Sequence, residues 1–292
     1  MVPRVLLLTA VIVWGWTFVA TKVLVAELGP VEVLALRLAI GVPVLGVVML
    51  LRRVRLRFER GDWGVLVVGG VIFTTHFLVQ TAGIVSTTAT NTGWIIAVAP
   101  LALAVLSVLF LGERIGWRGV VGIAVASLGI VLLVSRGRVG ELDWLRSRGD
   151  WLVLASAHTW ALYTVVTRNL VRRRDPLAVT FGVLVVSAVL TGVLFLVAGD
   201  LDRVRALSPR GLAAVLYLAI AGLAFGQWFW QEGVARLGAA RAGLYLYLEP
   251  LATLALAVPL LGEPFGPFIA LGGALVLAGV FLGQREGAPD QS

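Results

Sequence analysis

Apolar runs of about twenty residues follow one another along this chain with only short polar breaks, and that feature fixes the solvent in which it can fold. Cutting at charged and Pro- or Gly-rich punctuation leaves candidate spans near 5–25, 31–51, 63–83, 90–111, 117–135, 150–169, 177–198, 211–233, 240–261 and 265–283. Hydrophobic residues make up 59% of the 292 and charged residues 14%, against roughly half and a quarter in a soluble domain. A water-soluble fold cannot hide so much apolar surface. The runs lack the alternation of barrel strands, so the spacing predicts helices, which satisfy their backbone groups internally. The expected fold is an all-α integral membrane protein with ten transmembrane helices. The first run lacks a convincing small-residue cleavage site and is read as a retained helix rather than a signal peptide. Pro30 and Pro176 stand where helices can begin, Asp62 and Asp150 are placed to act as N-caps, and the longest polar insertion, Arg136 to Gly149, is too short for a domain.

The net charge of +8 would suggest nucleic acid as a partner for a soluble chain, but here the arginines gather in short loops between apolar runs, the pattern that orients membrane proteins. With the spans threaded alternately and the N-terminus inside, one side carries fifteen basic residues, among them Arg52, Arg53, Arg55, Arg57 and Arg60, against eight on the other. Both termini are therefore expected in the cytoplasm, in a multi-pass protein of the plasma or inner membrane. The chain has no cysteine, which excludes disulfides, thiol nucleophiles and thiolate metal sites.

The chain aligns with itself at an offset of 150. Gly83, Gly93, Pro100, Leu101, Leu111, Gly112, Glu113 and Gly129 fall on Gly233, Gly243, Pro250, Leu251, Leu261, Gly262, Glu263 and Gly279. Near the start of each half the offset is 146, where Trp14, Thr21, Lys22 and Pro30 meet Trp160, Thr167, Arg168 and Pro176. A five-helix unit is used twice, in residues 1–139 and 140–292. Because five is odd, the second copy enters the membrane from the opposite side, an architecture in which two halves can rock about a central cavity.

These residues resemble the drug/metabolite transporter superfamily in its ten-helix EamA-like branch. The resemblance rests on "WGWTFVATK" with Pro30 and Arg37 downstream, and on the doubled "AVAPLALAVLSVLFLGER" and "YLEPLATLALAVPLLGEP". It covers nearly the whole chain. It implies an exporter of amino acids, other small metabolites or drugs, with a cavity between the halves and coupling to protons or another gradient. The second half departs from the pattern, because Arg37 aligns near Phe181 to Val183, with no basic counterpart.

Ionisable groups within hydrocarbon cost about 2.5–3.5 kcal/mol on insertion scales, so each is a functional candidate. Glu249 falls near the middle of its run beside Pro250, in the slot that Ala99 fills in the first half. It is the candidate for proton coupling; the alternative is a structural carboxylate bonded to backbone that Pro250 opens. Arg241 lies eight residues away, about 12 Å along a helix, too far to pair within it. His76 and Gln80 are four apart and share a helix face, so both are expected to line the cavity. The further expected substrate contacts are Asn91 and Trp94 before Pro100, Trp160 and Tyr163 on one stripe of their helix, Trp228 beside Gln227 and Trp230, and Tyr245 before Glu249. Pro100 and Pro250 each either kink a helix or free a carbonyl for solute. Trp63, Trp117, Trp144 and Trp151 suit interfacial anchoring. Lys22 and Arg168 are expected to snorkel, Arg37 to pair with a carboxylate such as Glu32 or to bind an anion, and Glu113 and Glu263 to complement helix dipoles. Close glycines such as Gly122 and Gly129 permit tight helix contact.

The chemistry points to a secondary transporter that exports amino acids or similar small metabolites by alternating access. The alternatives are a lipid-linked carrier or flippase, or an uncoupled facilitator, on the same fold. No Walker A, HExxH or GxSxG motif occurs, so neither ATP drive nor a catalytic site is expected. No cofactor or metal is expected. The expected partners are a small-molecule substrate and the lipid bilayer, with no nucleic acid, and a monomer is one option for the assembly.

Overall fold

The computed structural model describes residues 2–135, 145, 147–261 and 266–284. Among them there is no strand, and every apolar run read from the sequence is mainly helical over its described residues, two of the runs being broken within. The helices are α1 (Val2–Leu24), α2 (Pro30–Leu51), α3 (Arg60–Val85), α4 (Ala89–Ile96), α5 (Ala99–Leu111), α6 (Trp117–Ser135) and α7 (Arg148–Arg173). They continue with α8 (Pro176–Ala198), a short α9 (Leu201–Arg205), α10 (Pro209–Tyr217), α11 (Gly226–Leu237), α12 (Ala239–Leu246), α13 (Glu249–Leu261) and α14 (Pro267–Gln284). A π-helical stretch, Leu218–Phe225, joins α10 to α11. Among the described residues six helical segments are long and apolar enough to cross a membrane: α1, α2, α3, α8, Ala89–Leu111 and Pro209–Leu237.

The exterior is apolar and the interior carries the polar groups. Leu50, Leu109, Phe110, Leu196, Val197 and Phe281 are exposed, whereas Arg37, His76, Thr164, Thr180, Ser187, Gln227, Gln231 and Glu249 are buried. That distribution is stable only where the surroundings are hydrocarbon and the interior supplies hydrogen-bond partners. Trp63, Trp117 and Trp151 are exposed, as interfacial anchors are; Trp144 and Glu263 lie outside the described residues.

Local chemistry sets the helix ends. Pro30 and Pro176 occupy first-turn positions, where a missing N–H costs nothing. Asp62 and Asp150 are not the N-caps expected of them. They sit at the third helical position of capping boxes whose caps are Glu59 and Ser147, and accept the cap N–H at 3.0 and 2.7 Å. The basic residues expected to snorkel are instead bonded within the protein. Lys22 donates to the carbonyls of Ile84 and Thr87 at 2.8 and 2.6 Å, closing the C-terminus of α3, and Arg168 pairs with Glu113 at 2.9 Å. Glu113 does complement a helix dipole, but that of a distant helix, since it accepts the first N–H groups of α12, Ala239 and Ala240, at 3.1 and 2.9 Å.

The prolines at 100 and 250 do not kink continuous helices. The backbone is interrupted at 97–98 and 247–248, and each proline follows the first residue of a new helix, Ala99 or Glu249. The π stretch was not foreseen either. It frees the Gly222 carbonyl, which accepts the Trp14 indole N–H at 2.8 Å.

Packing is closest at glycines. A Cβ on Gly122 would lie 2.7 Å from the Gly279 carbonyl oxygen, and one on Gly129 would lie 2.7 Å from that of Gly272. Hence α6 and α14 run antiparallel with backbones in contact. In the same sense Gly69 and Gly83 of α3 face Thr167 and Gly149 at opposite ends of α7, and Gly233 and Gly226 of α11 face Leu7 and Trp14 of α1. Gly122→Leu is expected to cost about 1–3 kcal/mol through overpacking, read as an earlier loss of the monodisperse peak on heating in detergent. Gly61→Leu, whose Cβ would meet nothing within 4 Å, serves as the control that should stay near the parent.

Candidate functional site

A cavity opens where α1, α2, α3, α7 and α11 meet the interruptions of α4–α5 and α12–α13. α1 contributes Trp14, Thr17 and Phe18; α3 contributes His76, Phe77 and Gln80 at helical spacing; Arg37, Trp160 and Gln227 come from α2, α7 and α11. Ile96 and Ala99 flank one interruption and Glu249 follows the other. The two breaks thus place the ends of half-helices, rather than continuous helix sides, at the cavity wall.

The wall is mainly aromatic. Trp14 meets Trp160 edge-on at 5.0 Å between centroids, and Trp230 lies behind both, at 5.5 and 5.7 Å. His76 Nδ1 lies 2.9 Å from the Ser156 carbonyl, which can only accept, so Nδ1 carries the hydrogen and leaves Nε2 free of that bond. Its ring packs on Trp160 at 5.3 Å and on Phe77 at 4.7 Å.

Arg37 corrects an expectation. It does not pair with Glu32, which accepts the Asp200 N–H at 3.0 Å. The Arg37 guanidinium lies over the Phe77 ring at 4.3 Å, is 3% exposed, forms no ion pair among the described residues, and leaves Nε without a hydrogen-bond partner. Glu249, also 3% exposed, makes no side-chain hydrogen bond or ion pair among the described residues. It is the first residue of α13, where the helix dipole favours an anion. Both amide atoms of Gln227 are buried without a partner.

Of the residues expected to contact substrate, His76, Gln80, Trp160 and Glu249 line this cavity and the others do not. Tyr163 stands one layer behind, packed on Trp160 at 5.3 Å, its hydroxyl accepting from Gln231 Nε2 at 2.8 Å. Asn91 donates to Asp150 at 2.7 Å at the start of α4. Trp94 packs against Leu254. Trp228 stacks on Phe229 at 5.3 Å and carries Arg52 over its ring at 5.0 Å. Tyr245 is buried in the core. His158 is exposed and bonded to the Leu154 carbonyl one turn back.

The lining residues that sequence reasoning passed over had a signal in the internal repeat. Trp14 is the counterpart of Trp160, Ala99 of Glu249, and Phe77 of Gln227, and both members of each pair line the cavity. Thr17, Phe18 and Ile96 had none.

An apolar helical exterior around a cavity whose wall holds Arg37, Gln227 and Glu249 is the arrangement of a membrane transporter. A family model described as the EamA-like transporter family matches residues 3–135 and again residues 147–283. The chain belongs to the EamA-like transporter family. An uncharacterized transporter of Archaeoglobus fulgidus is 27% identical over 97% of this chain and 98% of its own length. A protein of Streptantibioticus cattleyicolor named as a probable terminal-alkyne amino-acid exporter is 34% identical over 66% of this chain and 63% of its own. A solved crystal structure at 22% identity covers 96% of this chain and 95% of its own with a TM-score of 0.75, and so shares the fold.

Proposed function

We propose that this chain is a secondary active transporter of the plasma or inner membrane that exports amino acids or similar small metabolites by alternating access. Ten spans form two inverted five-helix repeats, residues 1–139 and 140–292, with both termini cytoplasmic. The observation that carries this reading is the cavity, lined by repeat-related pairs from the two halves and by Arg37 and Glu249, neither of which forms an ion pair among the described residues. The helix contacts support the inverted repeat. The contact of α1 with α11 is mirrored by that of α7 with α3, while α2 meets its counterpart α8 and α6 its counterpart α14. The interruptions at 97–98 and 247–248 differ by the repeat offset of 150, and the family model matches the chain twice. The name of the S. cattleyicolor relative supports the substrate class.

The test is solute flux in proteoliposomes with and without an imposed pH gradient. Amino acids should accumulate against their gradient only in vesicles that contain the protein and only while the pH difference lasts. Flux indifferent to that gradient would leave a facilitator or another coupling ion. Orientation is tested on the natural cysteine-free background. Leu56, exposed in the loop between α2 and α3, replaced by cysteine should resist an impermeant maleimide in intact cells and react in inverted vesicles. Labelling in intact cells would reverse the topology.

A further inference from the structure

Arg37 and Glu249 face the same cavity from α2 and α13, yet neither forms an ion pair with the other or with any described residue, and Arg37 Nε has no hydrogen-bond partner. Elsewhere the chain pairs its partly buried charges: Arg168 meets Glu113 at 2.9 Å and Arg174 meets Asp62 at 2.7 Å. A buried charge without a partner is costly. The Phe77 face offsets part of that cost for the guanidinium, and the first turn of α13 part of it for the carboxylate. These are also the two lining positions where the repeats differ in charge, because Arg37 falls opposite Val183 at the 146 offset and Glu249 opposite Ala99 at 150. A scaffold that repeats the Trp14–Trp160 pair of its wall departs from symmetry by placing one cation and one anion on opposite halves.

Resting on the transport reading above, we infer that the cavity is a zwitterion site: Arg37 takes the carboxylate and Glu249 the ammonium of an α-amino acid with a bulky apolar side chain. The side chain lies against Trp14, Phe18 and Trp160, which supply apolar surface and no charge. A guanidinium fork suits a carboxylate's two oxygens, and the unpartnered amide of Gln227 can bond either end of the same ligand. Selectivity follows from the cost of an unfilled partner. A carboxylic acid without the amine leaves Glu249 unpaired, and an amine without the carboxylate leaves Arg37 unpaired.

The test uses the full-length protein in nanodiscs, with the fluorescence of its tryptophans, two of which line the cavity, reporting titrations of L-phenylalanine, 3-phenylpropanoate and 2-phenylethylamine. L-Phenylalanine should bind at least ~10-fold more tightly than either analogue, the scale of one lost charge-assisted contact. Arg37→Gln should weaken L-phenylalanine and the propanoate by ~10-fold or more without weakening the amine, and Glu249→Gln should weaken L-phenylalanine and the amine without weakening the propanoate. Should either variant fail to fold, the three ligands on the parent protein still decide. Equal binding of all three, no binding of L-phenylalanine, or variants that weaken all three alike would overturn the zwitterion site. Uptake of radiolabelled L-phenylalanine into proteoliposomes separates this inference from the reading beneath it. Binding without uptake overturns the transport reading, whereas uptake of some other solute without L-phenylalanine binding overturns the site alone.

Discussion

Glu249→Gln is expected to abolish solute accumulation driven by a pH gradient while leaving exchange at equal pH intact when solute is saturating. Glutamine keeps the size and hydrogen-bonding capacity of the side chain but can neither carry nor release a proton. Glu249 is the lone carboxyl on the described cavity wall. Carboxylates at the helix ends are already engaged: Asp62 by Arg174 and the Glu59 N–H, Asp150 by Asn91 and the Ser147 N–H, and Glu113 by Arg168 and α12. A carboxyl without a partner, facing a cavity that opens to water in turn on each side, is free to change its proton with each turnover. The loss should be complete, since coupling without a titrating group has no partial form. Because the same group contacts the substrate, a raised KM for exchange is expected alongside. A variant that still concentrates solute like the parent would make Glu249 structural and direct the search to His76, the remaining titratable side chain beside Arg37 on the wall.

Trp160→Ala should reduce transport by ~10-fold or more, whereas Trp94→Ala should leave it close to the parent. Trp160 touches the cavity, Trp14, Trp230, His76 and Tyr163 together, with centroid separations of 5.0 to 5.7 Å. Its truncation removes part of the solute wall and the support of four neighbouring rings. Trp14 lies on the other wall of that contact and would lose its edge-on partner. A buried Trp→Ala change costs about 3–5 kcal/mol in a closed core. Trp160 already borders a void, so a smaller stability loss is expected, and Trp160→Phe should recover most of it. Trp94 packs on Leu254 of α13 and is absent from the cavity wall. Initial rates per folded molecule, quantified by size-exclusion peak area, separate the two effects. Equal losses at positions 94 and 160 would remove the cavity assignment.

Much of this architecture was legible because its determinants are local or repeated. Twenty-residue apolar runs, prolines at helix starts and two copies of one signature need no knowledge of what lies across the bundle. The breaks at 97–98 and 247–248 were hidden because a proline in the first turn of a new helix reads in sequence like a proline inside one continuous helix. The partners of Lys22, Glu113 and Arg168 were hidden because they lie 55 to 127 residues away. For Arg37 the expected pairing with Glu32 fails for the opposite reason: Glu32 is near in sequence, but their offset of five residues makes about 1.4 helical turns, and Glu32 is spent on the Asp200 backbone. Four of the nine expected site residues, His76, Gln80, Trp160 and Glu249, line the cavity, and those that do not, such as Tyr163 and Trp228, are amphipathic side chains that satisfy the core as readily as a solute.

Alternating access about this cavity is tested most directly at Ala99, a buried lining residue at the start of α5. Ala99→Cys on the cysteine-free chain, in oriented proteoliposomes, should react with an impermeant maleimide from one side at a time. The favoured side should change when the pH gradient is reversed or saturating L-phenylalanine is added on one face. Reaction from both sides at comparable rates would describe a channel, and reaction from a single side under every condition would describe a binding site that does not transport; either would contradict the account.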